Sequence, residues 1–294
     1  MTTETIDNKV RQVVSNIRNL PTPPIVFHQI QKIINEPTVS AAQIATVLSE
    51  DPAMSVKVLK LTNSAFYGLS REIESVKEAV VIVGMEAIKN LVLSASVLDM
   101  FKGDAIDLEF QEKYWRHSLA TAFCSKILAR KLKDHGTVEA DAAFSAGLLH
   151  DIGKMVIACF LPEQRKSVVD ERVVDKQAMD FEIEERVLGY SHAHIGGFLA
   201  EKWKLPHKLL DAITYHHTPQ MSQLEEPLAA IIYMADFVAK DTFYDRDERH
   251  LVGTPDLTVM ESLGVKEDDF EMFRDLLKEE YVKAETFMHL AGVA

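Results

Sequence analysis

Histidine and aspartate side chains recur in the second half of the sequence, inside segments that are otherwise apolar. Ten of the 11 histidines follow residue 110. The segment "AGLLHDIGKM" places His150 and Asp151 side by side among Leu, Ile and Met. Burying a carboxylate or an imidazole without a partner costs free energy. These two side chains therefore require a bound partner, and a metal ion or a reacting group is one candidate.

Two other segments place a single ionisable residue on an apolar helix face. In "YWRHSLATAFCSKILARKL", His117 lies in line with Cys124 two turns later, so we expect its side chain to face the interior. In "LAAIIYMADFVAK", Asp236 falls in the middle of a helix that is apolar almost all round. A carboxylate at that position needs a cation or several hydrogen-bond donors.

The remaining histidines of interest fall at predicted helix ends. "SHAHIGG" begins with Ser191 as a candidate N-cap, which places His192 and His194 in or near the first turn. "AITYHHTP" ends a helix with His216 and His217, because the following proline stops it. These positions put four imidazoles at two helix termini.

Together these side chains form a set of neutral nitrogen and carboxylate ligands of the kind that hold Fe, Mn, Zn or Mg. Helical bundles build dinuclear sites from inward side chains, with one or two on each helix. The predicted metal ligands are His117, His150, Asp151, His192, His216, His217 and Asp236. His194 is a spare histidine, which we expect to contact a metal ligand and not the metal itself.

Each signal also has a simpler explanation when it is taken alone. His117 could be a hydrogen-bonded core residue. His150 and Asp151 could form a buried pair held by backbone groups. The two histidines at a helix C-terminus could merely complement the helix dipole. The metal hypothesis rests on the combination of the seven residues.

Composition limits the class of protein. A chain of 294 residues forms one large domain or two small ones, and 47% hydrophobic residues fit a globular protein. A net charge of −13 argues against binding a nucleic-acid polymer, which requires clustered Lys and Arg. Cys124 and Cys159 lie among apolar neighbours, which favours reduced thiols in a cytoplasmic protein.

Neither a membrane span nor a signal peptide is predicted. The most apolar stretch, residues 78–100, is interrupted by Glu86, Lys89 and Asn90, and a span needs about 18 or more apolar residues. The first ten residues lack the basic start and apolar run of a signal peptide. We expect a cytoplasmic protein with no membrane contact.

The elements that must position these residues are predicted to be helices. Apolar residues recur every three or four positions along most of the chain, and convincing strand alternation is scarce. Ser40 is a candidate N-cap, and Asp51 followed by Pro52 is a favoured helix start. Only "SVKEAVVIVG" is ambiguous between helix and strand. The predicted fold class is all-α.

A polar break divides the chain into two predicted parts. Residues 102–110 contain Gly103 and separate two apolar helical blocks. We predict an N-terminal helical lobe over residues 6–101 and a second helical lobe over residues 110–290 that carries the metal site. The first lobe supplies no ligands, so we interpret it as packing and interaction surface.

The order of ligands, H…HD…H…HH…D, resembles the HD superfamily of metal-dependent phosphohydrolases, whose most recognisable fragment is "HDIGK". Over nearly its full length the chain is similar to HDOD-domain proteins, which are bacterial signalling relatives of HD and HD-GYP proteins. "LTNSAFYG" and "GGFLAEKWKLP" are the specific matches. The resemblance implies an N-terminal helical lobe packed on an HD-like lobe.

The sequence departs from the active HD-GYP pattern in two places. After His217 comes "TPQMSQLEEP", without a Gly-Tyr-Pro segment. The glutamate that some HD-GYP proteins use for a third metal is Lys113 here. Both departures argue for two metal ions at most and against hydrolysis of cyclic-di-GMP.

Two functions follow from the resemblance. The leading hypothesis is a regulatory signal-transduction protein that acts by binding partners, with signalling proteins of a two-component or cyclic-di-GMP pathway as the expected partners. The alternative is an active metal-dependent phosphohydrolase or cyclic-nucleotide phosphodiesterase with a phosphoester or nucleotide ligand. The sequence does not decide whether the protein is an enzyme.

The resemblance also implies roles for individual residues. In the enzyme hypothesis, His117, His150, Asp151 and Asp236 hold one metal ion, and Asp151 bridges to a second ion on His192, His216 and His217. Lys154 contacts a phosphate oxygen, so Asp151 and Lys154 are the catalytic candidates. Coordination would lower the pKa of a water molecule that attacks phosphorus. Fe or Mn is the expected divalent metal, with Zn, Mg or Ni as alternatives.

Overall fold

The computed structural model describes residues 3–101, 107–132, 138–222, 224, 227–246 and 248–291. Within these ranges the chain forms helices and no strand, which confirms the all-α prediction. The helices are α1 (Thr3–Ser15), α2 (Ile25–Ile33), α3 (Ala41–Ser49), α4 (Pro52–Thr62), α5 (Val76–Val83), α6 (Met85–Met100), α7 (Leu108–Lys131), α8 (Ala140–Leu149), α9 (Ile152–Phe160), α10 (Pro162–Val174), α11 (Asp180–Leu188), α12 (His192–Lys202), α13 (His207–Tyr215), α14 (Leu228–Phe243), α15 (Leu257–Leu263), α16 (Asp269–Tyr281) and α17 (Glu285–Ala291). His135 and Gly103 of the predicted break lie outside the described residues.

Side-chain caps define several helix starts that the sequence predicts. The Ser40 hydroxyl accepts a hydrogen bond from the backbone N–H of Gln43, whose side chain accepts one from the Ser40 backbone N–H. Asp51 caps α4 ahead of Pro52. The ambiguous segment at 76–83 is the helix α5, capped by Ser75. Val76 and Val80 are buried in packing contacts, which override the strand preference of valine.

The chain folds into two compact units. The larger unit is built mainly from Met1–Leu20 and His117–Lys278, and the smaller one from Pro21–Asp104, Leu108–Arg116 and Glu279–Ala294. This division differs at both chain ends from the expected lobes of residues 6–101 and 110–290. The helix α1 packs on α12 and so belongs to the larger unit, whereas α17 packs on α4 and α6 of the smaller one.

The smaller unit packs α2 to α6 and α17 around an apolar core. The ring of Phe66 meets that of Phe287 edge to face, with 5.3 Å between centroids, which ties α17 to the end of α4. The side chain of Asn63 bonds the backbone N–H and C=O of Ile73 and so fixes the loop between α4 and α5.

The larger unit is organised around α12, which packs against α1, α9, α11 and α13. The helix α12 approaches α13 closely, because a Cβ atom on Gly197 would lie 2.0 Å from Oγ1 of Thr214. Gly196 lies at the same contact, where a Cβ atom would lie 2.8 Å from Cγ2 of Ile213. This packing brings the starts and ends of several helices to one place.

One described helical stretch, Ala140–Phe160, is long and apolar enough to cross a membrane, and 83% of its apolar window is buried inside the protein. The helices α5 and α6 are long and apolar enough only when they are taken as one segment, and that segment is bent by 118°. Burial of this extent is what the core helix of a globular domain shows, so these helices are weak evidence for a membrane span.

Candidate metal centre

The residues predicted as metal ligands come together in the larger unit. His117 lies on α7 and Asp236 on α14. The chain breaks between α8 and α9 so that His150 is the C-cap of one helix and Asp151 the N-cap of the next. This break lets two adjacent side chains reach the same centre.

The other three ligand candidates lie at helix ends, as the sequence predicts. Ser191 is the N-cap of α12, which places His192 at its first position. His216 is the C-cap of α13, and His217 follows it. Four of the seven residues, His150, Asp151, His192 and His216, are at most 1% exposed.

The hydrogen bonds of two histidines fix which ring nitrogen carries the proton. Nδ1 of His150 lies 2.7 Å from the carbonyl oxygen of Gly147, and Nδ1 of His216 lies 2.7 Å from that of Ile213. A carbonyl oxygen only accepts, so each Nδ1 donates, and Nε2 of the neutral ring carries a lone pair. Both Nε2 atoms are buried without a hydrogen-bond partner.

One side of the centre, half-site 1, comprises His117, His150, Asp151 and Asp236. Nε2 of His117 lies 3.0 Å from Oδ1 of Asp236 and 3.6 Å from Oδ2 of Asp151. Nε2 of His150 lies 3.3 Å from Oδ2 of Asp151 and 3.8 Å from Oδ1 of Asp236. Oδ1 of Asp236 is also buried without a hydrogen-bond partner.

The other side, half-site 2, comprises Asp151, His192, His216 and His217. The ligand atoms of these four residues all lie within 4.8 Å of one another. Oδ1 of Asp151 lies 2.9 Å from Nε2 of His192 and 3.7 Å from Nε2 of His216. Asp151 therefore presents Oδ2 to half-site 1 and Oδ1 to half-site 2, which is the arrangement of a bridging carboxylate.

This donor set fits divalent cations. Imidazole nitrogens and carboxylate oxygens are ligands of Fe, Mn and Zn, and they must be deprotonated to bind. The unpartnered lone pairs converge in a buried volume, where they repel one another unless a cation lies between them. Three or four such ligands in each half-site match the coordination that these metals use.

The protonation of the ligands follows from burial and the neighbouring charges. Burial raises the pKa of Asp151, but the adjacent His150 and Lys154 outweigh burial and hold that pKa well below its usual range. Burial likewise raises the pKa of Asp236, but Lys240 and His117 hold it well below its usual range. Both carboxylates are therefore ionised at neutral pH. Burial lowers the pKa of His216 to about 4, so its ring is neutral.

His192 differs from the other histidines because a carboxylate lies behind it. Oε2 of Glu184 lies 2.6 Å from Nδ1 of His192 and accepts its backbone N–H at the same distance. Burial lowers the pKa of His192, but Glu184 and Asp151 outweigh burial and raise it to about 9. Nε2 of His192 lies 2.9 Å from Nε2 of His217, so without a metal a proton there would join the two rings.

Two lysines, the half-buried Lys154 and the buried Lys240, pair with the two aspartates. Nζ of Lys154 lies 2.7 Å from Oδ2 of Asp151 and 3.6 Å from Oδ2 of Asp180. Nζ of Lys240 lies 2.6 Å from Oδ2 of Asp236. Lys154 thus lies beside the centre as predicted. Lys240, one helical turn after Asp236, is a second basic residue there, and the sequence did not single it out.

Sequence reasoning also missed Glu184. It lies in the charged segment "EIEERV", where it is buried next to Ile183 while the other charged residues are exposed. Nothing in the local sequence distinguishes Glu184 from those exposed neighbours. His194, in contrast, is not part of the centre. Its Nδ1 accepts the backbone N–H of Ser191 at 3.1 Å and completes the N-terminal cap of α12. The spare histidine is a capping residue.

The family assignment follows from the comparison with known proteins. The HDOD domain model matches residues 20–219, which is more than half of the sequence, and the chain belongs to this family. Among curated proteins, the chain is 27% identical over 248 residues to an uncharacterized protein of Treponema pallidum (strain Nichols). This match covers 82% of the chain, which spans 47% of that protein's length. A part of the chain is 30% identical over 129 residues to ribonuclease Y of Onion yellows phytoplasma, of which it covers 18%.

Solved structures show the same fold. An HDOD domain protein of unknown function from Geobacter sulfurreducens is 25% identical, with a TM-score of 0.69 and coverage of 95% of this chain and 99% of that one. A Shewanella amazonensis protein named "Putative phosphohydrolase" has the same identity and TM-score, over 97% and 96% of the two chains. A Marinobacter aquaeolei protein named "Putative signal transduction protein" has a TM-score of 0.74 at 21% identity, over 99% of this chain and 66% of that one.

Proposed function

We propose that this HDOD protein is a regulatory protein whose HD-type centre binds divalent metal ions and which acts by binding a partner protein. The observation that carries the proposal is the convergence of unpartnered, buried ligand atoms on His117, His150, Asp151, His216 and Asp236. A protein core that had lost metal binding would not need to keep these lone pairs together, because apolar residues would fill the space at lower cost.

The residues that would hold the metal ions are those of the two half-sites, with Asp151 shared. A bound divalent cation supplies Lewis-acid polarisation of a phosphoester and lowers the pKa of a water molecule. The chain's own groups fix the ligands: the carbonyls of Gly147 and Ile213 orient His150 and His216, and Glu184 orients His192. Fe or Mn remains our expected metal because both accept mixed imidazole and carboxylate ligands.

Two features favour regulation over phosphoester hydrolysis. The charge of Lys154 is already shared between Asp151 and Asp180, so it offers limited attraction to a dianionic substrate. Lys240 is 7% exposed and held by Asp236, so it faces the ligands rather than an incoming phosphate. A substrate with two phosphates would find few free cations at this centre.

A phosphohydrolase is the second candidate function. It is supported by the completeness of both half-sites and by the similarity to the Shewanella protein named as a phosphohydrolase. Its substrate would be a phosphoester or nucleotide. Signalling proteins as partners, a cytoplasmic location and the lack of a nucleic-acid partner remain predictions from the sequence.

Elemental analysis of protein purified without chelator, followed by reconstitution with Mn²⁺ or Fe²⁺, tests the metal proposal. We expect one to two equivalents of metal per chain in the wild type and none in Asp151→Ala, which lacks the bridging carboxylate. A wild type that takes up no metal on reconstitution would refute the proposal.

A further inference from the structure

The groups behind the ligands differ between the two half-sites. In half-site 1, both carboxylates are paired with a lysine ammonium: Nζ of Lys154 lies 2.7 Å from Oδ2 of Asp151 and Nζ of Lys240 lies 2.6 Å from Oδ2 of Asp236. In half-site 2, Oδ1 of Asp151 contacts histidine nitrogens and no lysine among the contacts of the described residues. The positive charges therefore adjoin the oxygens of half-site 1.

In half-site 2, a carboxylate and not an ammonium lies behind a ligand. Glu184, 4% exposed, accepts two N–H groups of His192, one from the ring and one from the backbone. A carboxylate behind a ligating histidine fixes the tautomer that leaves Nε2 free and raises the basicity of that nitrogen. Phe181 stacks on His217 with 4.3 Å between ring centroids and 18° between planes, which restricts a second ligand ring.

We propose that the two half-sites differ in affinity: half-site 2 binds its cation first and holds it tightly, whereas half-site 1 binds a second, exchangeable cation. The inference rests on the proposed metal-binding function and adds a ranking to it. Glu184 is a positioning residue for the tight cation. Lys240 keeps the weak half-site weak, because a neighbouring ammonium repels a divalent cation in a buried volume.

The ranking has a functional consequence. A centre with one retained and one exchangeable cation responds to the free concentration of divalent metal over a range set by half-site 1. Loss of the exchangeable cation leaves Asp151 and Asp236 paired with Lys154 and Lys240, so both carboxylates keep a partner. The metal-poor and metal-rich forms are both electrostatically satisfied, which is the requirement for a two-state response.

Titration of the full chain with Mn²⁺, after removal of bound metal with a chelator, tests the ranking. We expect two binding steps, and an electron paramagnetic resonance signal of uncoupled Mn²⁺ up to one equivalent. A signal of coupled Mn²⁺ pairs should appear only as the second equivalent binds. Two equal binding constants, or coupled pairs from the first addition, would refute the ranking while leaving metal binding intact. A complete lack of Mn²⁺ binding would refute the proposed function and the ranking together.

Two substitutions assign the steps to the half-sites. Glu184→Gln should weaken the tighter binding constant by about tenfold and leave the weaker one within experimental error. Lys240→Gln, which keeps a hydrogen-bond donor to Asp236 and removes the charge, should strengthen the weaker constant by about tenfold or more. The matched controls are Glu185→Gln on the next position of α11 and Lys126→Gln, a buried lysine paired with Asp141.

A further measurement separates positioning from folding. Long-range ¹H–¹⁵N spectra of the imidazole rings report the tautomer, and a Glu184→Ala variant should lose the fixed Nδ1–H form of His192 while its circular dichroism stays that of the wild type. If Glu184→Gln and Lys240→Gln change both binding constants equally, or if Glu185→Gln has the same effect as Glu184→Gln, the assignment is wrong.

Discussion

The carbonyl oxygen of His192 lies 2.0 Å from the position that a Cβ atom on Gly153 would occupy. The backbones of α9 and α12 are therefore in near contact. The contact lies two residues after Asp151 on α9 and at His192, the first residue of α12. No side chain larger than hydrogen fits between them. This contact fixes the separation of two ligands of half-site 2.

Gly153→Ala should accordingly push α9 and α12 apart. We expect the free energy of unfolding to fall by about 1–3 kcal/mol, the usual range for overpacking, and metal affinity to fall with it. Urea denaturation and Mn²⁺ titration measure the two effects. Gly196→Ala is the comparison, because its Cβ would meet a side-chain methyl group, Cγ2 of Ile213, at 2.8 Å rather than backbone at 2.0 Å, and it should cost less. Equal costs would show that the backbone contact is not limiting.

A bound metal should stabilise the larger unit. A ligand that binds only the folded state adds about 2.7 kcal/mol at 100 times its dissociation constant. We therefore expect chelation to lower the melting temperature of the wild type and to leave Asp151→Ala unchanged. Asp170→Ala, at an exposed position on α10, is the control and should behave as the wild type does. Differential scanning calorimetry with and without Mn²⁺ makes the comparison, and equal chelator effects on wild type and Asp151→Ala would contradict it.

The regulatory function predicts weak or no turnover of cyclic-di-GMP by the metal-loaded protein, because Lys154 is engaged by Asp151 and Asp180. The measurement is product formation by chromatography at saturating Mn²⁺ or Fe²⁺. Robust turnover that disappears in His150→Ala and Asp236→Ala would establish the phosphohydrolase instead. Turnover that persists in both variants would point to a contaminating enzyme.

The two cysteines should react slowly. Cys124 is fully buried, and burial raises the pKa of its thiol; burial also raises the pKa of Cys159 to about 11. An ordinary thiol has a pKa near 8.5, so little thiolate forms on either residue at pH 8. Mass spectrometry after iodoacetamide treatment at pH 8 should show both cysteines protected in the folded protein and modified in urea. Rapid labelling of Cys124 in the folded protein would contradict the core packing.

Asp175 links stability to pH at the turn after α10. Its carboxylate accepts hydrogen bonds from Arg186 at 3.0 Å and from the backbone N–H of Ala178 at 3.2 Å, which lower its pKa. A carboxyl group with a lowered folded-state pKa stabilises the protein above its unfolded pKa of about 3.9, and this contribution is lost as the pH falls through the folded value. The free energy of unfolding of Asp175→Asn should therefore fall less steeply than that of the wild type between about pH 5 and pH 3. Parallel curves would show that these hydrogen bonds do not persist in solution.

Helix content and the candidate ligands were predictable because each rests on local pattern. Ser191 is a recognisable N-cap, and Pro219 after two histidines marks a helix end, so the neighbouring ligands could be placed at helix termini. Asp236 stood out because an apolar helix surrounds it. These signals depend on residues within one or two turns of the ligand.

The groups that support the ligands could not be found in the same way. Glu184 and Lys240 acquire their roles from helices that are distant in sequence, and a glutamate or lysine on a helix is most often a solvated surface residue. The first helix, α1, belongs to the larger unit and the last helix, α17, to the smaller one. This assignment likewise depends on packing between helices that are distant in sequence. Periodicity shows that a helix has an apolar face but not which helix covers it.

The break between α8 and α9 has a consequence for how the unit is held together. The candidate ligands come from segments spread over 120 positions of the chain, from His117 to Asp236. One cluster of coordination bonds would therefore act as a set of cross-links that close several long loops at once. Closing long loops restricts the unfolded chain most strongly. Metal occupancy in such a unit would raise the cooperativity of its unfolding, because helices joined by one cluster must open together.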